Sequence, residues 1–375
     1  MKSDLPSNWR YESLGKCCYV ISGATPRRDV SEYWGGGIPW VTPKDISKLD
    51  GQIIENTPED ISEKGYKSCS STILPEGSVL FSSRAPIGLV ALTGRPMCTN
   101  QGFKSLVPKE GLNSKYLYHC MKWVAPKLKA LGNGATFKEV SKEVVSRFEI
   151  PFPPLSEQKR IAAILDKADA IRRKRQQAIK LADDFLRATF LDMFGDPVTN
   201  SKRWELRPLG EIVNFKTGKL DSNAAIEGGI YPFFTCSQKT FKIDKYAFDC
   251  EALLLAGNNA AADYSVKYYN GKFNAYQRTY VITVKNEQLT YQYLKIALEL
   301  KLQNLKRLSK GTNTKYLTLD VLQNIIIQVP SKESLEQFDF KFGKTHKSIC
   351  LLKKAYEAAE SLNKSISNCA FSGRL

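Results

Sequence analysis

The chain repeats itself, and each repeat carries a long helix with it. "WRYESLGKCCYVISG" (9–23) matches "WELRPLGEIVNFKTG" (204–218), with Trp9 and Trp204, Leu14 and Leu209, Gly15 and Gly210, and Gly23 and Gly218 all 195 residues apart. "GIPWVT" (37–42) then aligns with "IYPFFT" (230–235), "TNQ" (99–101) with "AYQ" (275–277), and "KYLY" (115–118) with "QYLK" (292–295). "LGNGATFKEVSKEVV" from Leu131 matches "LSKGTNTKYLTLDVL" from Leu308, pairing Gly134 with Gly311 and Lys138 with Lys315. "LSEQ" (155–158) stands opposite "SLEQ" (334–337). Six matches in one order indicate a tandem duplication, and the falling offset gives the second copy shorter loops.

Each copy reads as mixed α/β. Short apolar runs such as "GSVLFSS" (77–83), "GLVALT" (88–93) and "RTYVITV" (278–284) lie between Pro and Gly turns and predict strands. "NSKYLYHCMKWVAPKLKAL" and "TYQYLKIALELKLQNLKRL" show helical spacing. After the proline cluster of "IPFPPLSEQKRIA", about forty residues pass without Pro or Gly, with Ser156 and Glu157 as helix-start residues. Ile161, Leu165, Ala168, Ile171, Ala178, Ala182, Phe185 and Thr189 predict one apolar stripe, and Phe338, Phe342, Ile349, Leu352, Tyr356, Ala359 and Ile366 predict another. Two such helices bury their stripes by pairing, antiparallel within one chain. The alternative is a coiled coil between two chains. From Ser156 to Met193 the helix spans about 57 Å at 1.5 Å per residue, which caps the spacing of two bound sites at roughly 17 base pairs. The expected boundaries are globular unit 1–154, helix 155–195, globular unit 196–330 and helix 331–375.

Lys and Arg number 55 against 38 Asp and Glu, a formal charge of +17 that favours a polyanion such as nucleic acid. No run approaches the ~20 apolar residues of a membrane span, and "MKSDLPSNWRYESLG" has no apolar leader region, so the cytoplasm is the expected location. Nine scattered cysteines without C-x-x-C spacing read as reduced thiols. His119 and His346 are the only histidines and do not support a zinc site. No G-x-x-x-x-G-K-[ST] phosphate loop appears, nor the Asn-Pro-Pro-aromatic motif of an adenine methyltransferase. The chain reads as a binder rather than an enzyme. Polar side chains able to meet base edges or phosphates gather in loops: Lys44, Asp45, Ser83 and Arg84, then Lys138, in the first copy, and Ser237, Gln238, Asn258, Asn259, Tyr276, Gln277, Arg278, Asn313 and Lys315 in the second.

The blocks "PWVTPKDIS", "GSVLFSSRAPIG", "TNQGFKSL", "NGATFKEVSK", "IPFPPLSEQKRIAAILDKAD" and "SNCAFSGRL" resemble the specificity subunits of type I restriction–modification systems over almost the whole chain. The resemblance implies two tandem α/β target recognition domains, each reading half of a split DNA sequence, separated by two long helices that form an intramolecular antiparallel coiled coil. It adds Asn100, Gln101 and Thr136 to the DNA-contact set, and Gln158, Ile161, Arg172, Gln337 and Phe338 as residues that dock methyltransferase subunits. It further implies double-stranded DNA, two methyltransferase subunits and, through them, restriction subunits as partners. No cofactor is expected on this chain, with S-adenosylmethionine, ATP and Mg on the partners. "AGNNAAADY" replaces "SSRAPIG" in the second copy, so an asymmetric target is expected. A protein-binding coiled-coil adaptor and a self-contained DNA-modifying enzyme are the competing readings.

Overall fold

The computed structural model describes residues 5–133, 138–257, 266–285, 289–308 and 317–375. The chain packs as two units, Met1–Gln177 with Lys354–Leu375, and Ala178–Lys353. The division falls inside both long helices, Leu155–Phe194 (the central helix) and Lys332–Phe371 (the C-terminal helix). Each unit is therefore a globular α/β body plus one part of each helix.

In unit 1 a five-stranded sheet runs in the spatial order Cys18–Ser22, Lys104–Pro108, Val79–Phe81, Val90–Thr93, Ile53–Ile54. A second sheet of three strands has the order Asp60–Ile61, Trp34–Val41, Cys98–Thr99. The helix Ser114–Ala130 shares a core with the larger sheet through Tyr116, Leu117, Met121 and Val124. Unit 2 has one six-stranded sheet, Val213–Thr217, Thr279–Val284, Phe248–Ala256, Val266–Ala275, Tyr231–Phe234, Phe241–Ile243, with the helix Tyr291–Leu308.

The duplication is visible bond by bond. In unit 1 the strand Arg10–Ser13 pairs antiparallel with Glu149–Phe152, and in unit 2 Glu205–Pro208 pairs with Ile326–Val329. Each clamp ties the strand entering the globular body to the strand that leaves it for a long helix. The Leu14 N–H donates to Phe148 O at 2.9 Å and the Leu209 N–H to Ile325 O at 2.8 Å. The buried Tyr116 hydroxyl donates to Pro151 O at 2.8 Å, and that of Tyr293 to Gln328 O at 3.1 Å. Lys109 Nζ reaches Gly15 O at 3.3 Å, and Lys285 Nζ reaches Gly210 O at 2.9 Å. These bonds answer backbone groups that the short helices and strand ends leave unpaired.

The long helices pack antiparallel. In unit 1, Ile161, Ala162 and Leu165 of the central helix share a core with Ala370 and Phe371 of the C-terminal helix. Further along, Arg172 Nη1 meets the Tyr356 hydroxyl at 3.4 Å and Arg175 donates to Ala355 O. In unit 2, Phe190 and Phe194 meet Phe338, with centroids 5.8 and 5.3 Å apart, around Tyr293. Rising numbers on one helix meet falling numbers on the other, and both helices belong to the one chain.

Two details of the expected helix change. The N–H groups of Glu157 and Gln158 both donate to Pro154 O, so the helix opens on Pro154 and Ser156 lies inside its first turn. Ile171 and Phe185 are exposed, at 50% and 57%, whereas Leu186, Phe190 and Phe194 are buried. Stepping by sevens from Ile171 to Phe185 assumes 3.5 residues per turn, but an α-helix has 3.6 and drifts about 20° per heptad. From Ile161 a 3.6-residue period arrives instead at Leu186 and Phe190.

Two glycines test this packing with opposite signs. A Cβ on Gly218 would lie 1.7 Å from Ala275 O, while one on Gly343, inside the C-terminal helix, meets nothing within 4 Å. Gly218→Ala is expected to destabilise the protein by about 1–3 kcal/mol, and Gly343→Ala to stabilise it by about 0.5–1 kcal/mol. Denaturant midpoints of the two variants check both; equal midpoints would refute the crossing geometry at Gly218.

Candidate nucleic-acid interface

The loops singled out in the sequence converge on matching backbone junctions in the two units. In unit 1 the Asn100 N–H donates to Val41 O, the Ser83 N–H to Gly102 O and the Val140 N–H to Ser83 O, at 3.0, 2.7 and 2.9 Å. In unit 2 the Tyr276 N–H donates to Phe234 O, the Gly257 N–H to Arg278 O and the Leu317 N–H to Gly257 O, at 2.9, 2.8 and 2.9 Å. The same three-bond knot gathers the same three loops. Gly23 and Gly218 pass close to it, with no room for a Cβ beside Asn100 O or Ala275 O respectively.

In unit 1 this knot underlies an open groove of about 480 Å³ lined by Lys44, Arg84, Asn100 and Gln101, together with Pro43 and Gly102. Lys44 is exposed on the short helix Pro43–Ser47. Arg84 is half-exposed, and its Nε donates to Glu139 Oε2 at 2.9 Å. Asn100 turns its Oδ1 onto the Gly102 N–H at 2.9 Å, shaping the loop, and the exposed Gln101 accepts from the Thr25 hydroxyl. Lys138 is exposed at the rim of the adjoining loop.

Two other expected contacts serve the scaffold instead. Asp45 Oδ2 accepts from both the N–H and the hydroxyl of Thr42, at 2.7 Å each, and so closes the first turn of its helix. Ser83 is fully buried and its hydroxyl donates to Gly102 O at 3.1 Å. A buried hydroxyl already spent on a carbonyl offers nothing to a base edge. Thr136 lies outside the described residues.

In unit 2 the knot brings Ser237 and Gln238 beside Tyr276, Gln277 and Arg278. The Cys236 thiol lies 3.6 Å from Arg278 O, and Lys267 Nζ donates to Ser237 O at 2.7 Å. Gln277 and Arg278 are exposed and Tyr276 half-buried. The Gln277 N–H is held by Leu220 O at 2.9 Å. Leu220 also borders a cavity of about 760 Å³ lined by Phe215, Phe248 and Tyr280 together with Lys216, Lys219 and Lys245. Sequence reasoning missed those lysines because Lys216 and Lys219 lie on one segment and Lys245 on another, distant in sequence. Asn258, Asn259, Asn313 and Lys315 lie outside the described residues.

The residues expected to dock partner subunits divide. Gln158 is fully buried, holding the Asn113 N–H, Gly111 O and Pro153 O at 2.8, 3.0 and 2.9 Å. Ile161 and Phe338 are core residues at 0% exposure. Arg172 is mostly covered and pairs with Asp169 at 3.0 Å, while Gln337 is exposed. The matched N–H bonds, Gln158 to Pro154 O and Leu335 to Ser331 O, equate Gln158 with Leu335 rather than Gln337. Burial of Ile161 with Phe338 gives the same register. Among the described residues, no group of three or more His, Cys, Asp or Glu is placed to hold a metal ion, and no helix is long and apolar enough to cross a membrane.

A family described as the type I restriction modification DNA specificity domain matches the chain twice, over residues 6–181 and 201–358. The chain belongs to that family. The MjaIX type I restriction enzyme specificity subunit of Methanocaldococcus jannaschii is 29% identical over 404 aligned residues, covering 94% of this chain and 92% of the relative. The EcoDI specificity subunit of Escherichia coli is 33% identical over 179 residues, covering 46% of this chain and 38% of the relative. In fold, the chain is similar to the crystal structure of a type I restriction–modification S subunit from M. genitalium, with a TM-score of 0.61, 16% identity and 99% of each chain covered. Both matched segments thus include the backbone knot and part of a long helix.

Core burial rather than docking sets the expected behaviour of Phe338. Phe338→Ala is expected to lower stability by about 3–5 kcal/mol, measured by chemical denaturation of the free chain. A loss below about 1 kcal/mol would return Phe338 to the surface.

Proposed function

We propose that this specificity subunit binds double-stranded DNA through the two knots, each unit reading one half of an asymmetric, gapped target. The observation that supports it most directly is the duplicated knot inside both family-matched segments, which presents different side chains in the two units. In unit 1 the groove offers Lys44, Arg84 and Gln101; in unit 2 the edge offers Gln277 and Arg278 with Lys216, Lys219 and Lys245 nearby. Charge alone supplies affinity that falls steeply with salt. Groups held in place by the scaffold supply the choice of base.

The chain's role is binding, and the chemistry resides on partners. Two methyltransferase subunits carry S-adenosylmethionine, and restriction subunits reached through them carry ATP and Mg, in the cytoplasm. Docking falls to side chains that the fold leaves uncovered. On the central helix these are Ile171, Leu181 and Phe185, at 50%, 60% and 57% exposure, within about a quarter-turn of one another at 3.6 residues per turn. On the C-terminal helix Phe340, Leu351 and Leu362 recur every eleven residues at 65%, 61% and 60% exposure. Exposed apolar residues in register along a helix mark a partner-binding face.

The deciding experiment maps methylated adenines in the host genome with the gene intact and deleted. Loss of methylation at one gapped, asymmetric motif is expected; an unchanged methylome alongside an expressed methyltransferase would reject the proposal. The helices' role in the gap has its own test. Four residues inserted into the central helix add about 6 Å, and with a compensating insertion in the C-terminal helix should widen the gap by roughly one or two base pairs. An unchanged gap would remove the helices from the measurement.

A further inference from the structure

We infer that Arg84 reads a guanine in the half-site bound by unit 1, and that Glu139 and Lys104 are positioning residues that aim it. The inference rests on the DNA-reading role proposed above. Arg84 and Glu139 face each other across an isolated antiparallel bridge, beside the Val140–Ser83 bond of the knot, so the backbone fixes where both side chains begin. Arg84 Nε donates to Glu139 Oε2 at 2.9 Å, and Lys104 Nζ donates to the other oxygen, Oε1, at 3.2 Å. Exposure falls along the chain of contacts, from 49% at Arg84 through 34% at Glu139 to 9% at Lys104. A covered ammonium thus pins the carboxylate, and the carboxylate pins the guanidinium. Burial alone would push the Glu139 carboxyl up, but the bonds from Lys104 and Arg84 outweigh it and hold the group below the usual carboxylate range, so it is ionised at neutral pH.

Binding through Nε leaves the Nη1–Nη2 edge of Arg84, a residue that lines the groove, without a hydrogen-bond partner among the described residues. That edge is a planar fork of two donors. In the major groove, guanine presents a matching pair of acceptors, O6 and N7, which no other base offers. An arginine elsewhere in unit 1 shows the contrast. Arg28 has both terminal nitrogens on Glu59 and its guanidinium 4.0 Å from the Trp34 ring centroid, so its fork is already occupied. Lys44 is a mobile point charge suited to phosphate. In the second copy the aligned positions hold Asn258, Tyr316 and Tyr280, with neither arginine nor carboxylate, and the Tyr280 hydroxyl donates to Leu317 O at 2.9 Å. The device therefore belongs to one half-site only.

The test uses the full chain co-expressed with its methyltransferase, on a plasmid library in which each base pair of the wild-type motif is varied in turn. Arg84→Lys, which keeps the charge but loses the fork, and Glu139→Ala are each expected to relax the preference for one G·C pair about ten-fold or more, leaving other positions unchanged. Lys104→Met should act in the same direction at the same base pair, whereas Lys44→Ala should lower methylation of all sequences together. A wild-type motif without a G·C pair overturns the assignment. So does an unchanged preference in Arg84→Lys and Glu139→Ala, whether or not total methylation falls. A wild-type chain that directs methylation to no motif would instead sink the DNA-reading role itself.

Discussion

Each long helix carries one apolar stripe, and the packing of those stripes on one another and on a globular core is the constraint on which the rest depends. A lone helix of forty residues would leave its stripe in water, since most helical stability in proteins comes from burying such a face. Here Ile161 and Leu165 enter the core of unit 1 with Tyr116 and Phe371, and Phe190, Phe194 and Phe338 enter the core of unit 2 with Tyr293. Fully burying a side chain of this size contributes roughly 1.5–3 kcal/mol, so these rings are principal members of each core. The helices are consequently shared between the two bodies instead of standing as separate domains. The strand clamps then fix where each helix leaves its body.

Duplication preserved the bonds that do not depend on side-chain identity. The knot is made from main-chain N–H and C=O groups, so Ser83 can become Gly257 and Asn100 can become Tyr276 without losing a bond. What the backbone cannot tolerate is a Cβ at the crossing, and glycine stands there in both copies. The outer side chains are under no such restraint. One scaffold can therefore present Lys44 and Arg84 in one copy and Gln277 and Arg278 in the other, which suits a protein that must distinguish two half-sites with one architecture.

The repeat, the α/β character, the two helices and their intramolecular pairing were all legible in the sequence, because each leaves a periodic or duplicated trace. The facing of individual residues was less so. A seven-residue step placed Ile171 and Phe185 inside, while the true helical period buries Leu186 and Phe190. The matching letters "LSEQ" and "SLEQ" equated Gln158 with Gln337, although burial and hydrogen bonding equate Gln158 with Leu335. In the groove, Lys44 and Arg84 were found from their loops and Asn100 and Gln101 through the family resemblance, and the four do come together. Asp45 and Ser83 shared those loops but were claimed by the scaffold, and only coordinates distinguish a side chain facing outward from one turned onto its own backbone. Glu139 went unnoticed because nothing local ties it to Arg84 or to Lys104.

Lys44 and Arg84 differ in how firmly their charges are held. An exposed lysine on a flexible stem can meet a phosphate wherever it lies, so it adds affinity without caring which base is nearby. Many such residues among an excess of cations would hold the chain on any DNA under the proposed function. Discrimination needs the opposite property, a donor pair whose direction is set before the base arrives, because a fork free to turn can find an acceptor in the wrong sequence too. On the reading proposed above, Lys104 and Glu139 provide that restraint, a covered ammonium holding a partly exposed carboxylate in place. On that reading the groove of unit 1 separates the two tasks physically: mobile charge on the short helix Pro43–Ser47, and an anchored fork on the loop that follows Val79–Phe81.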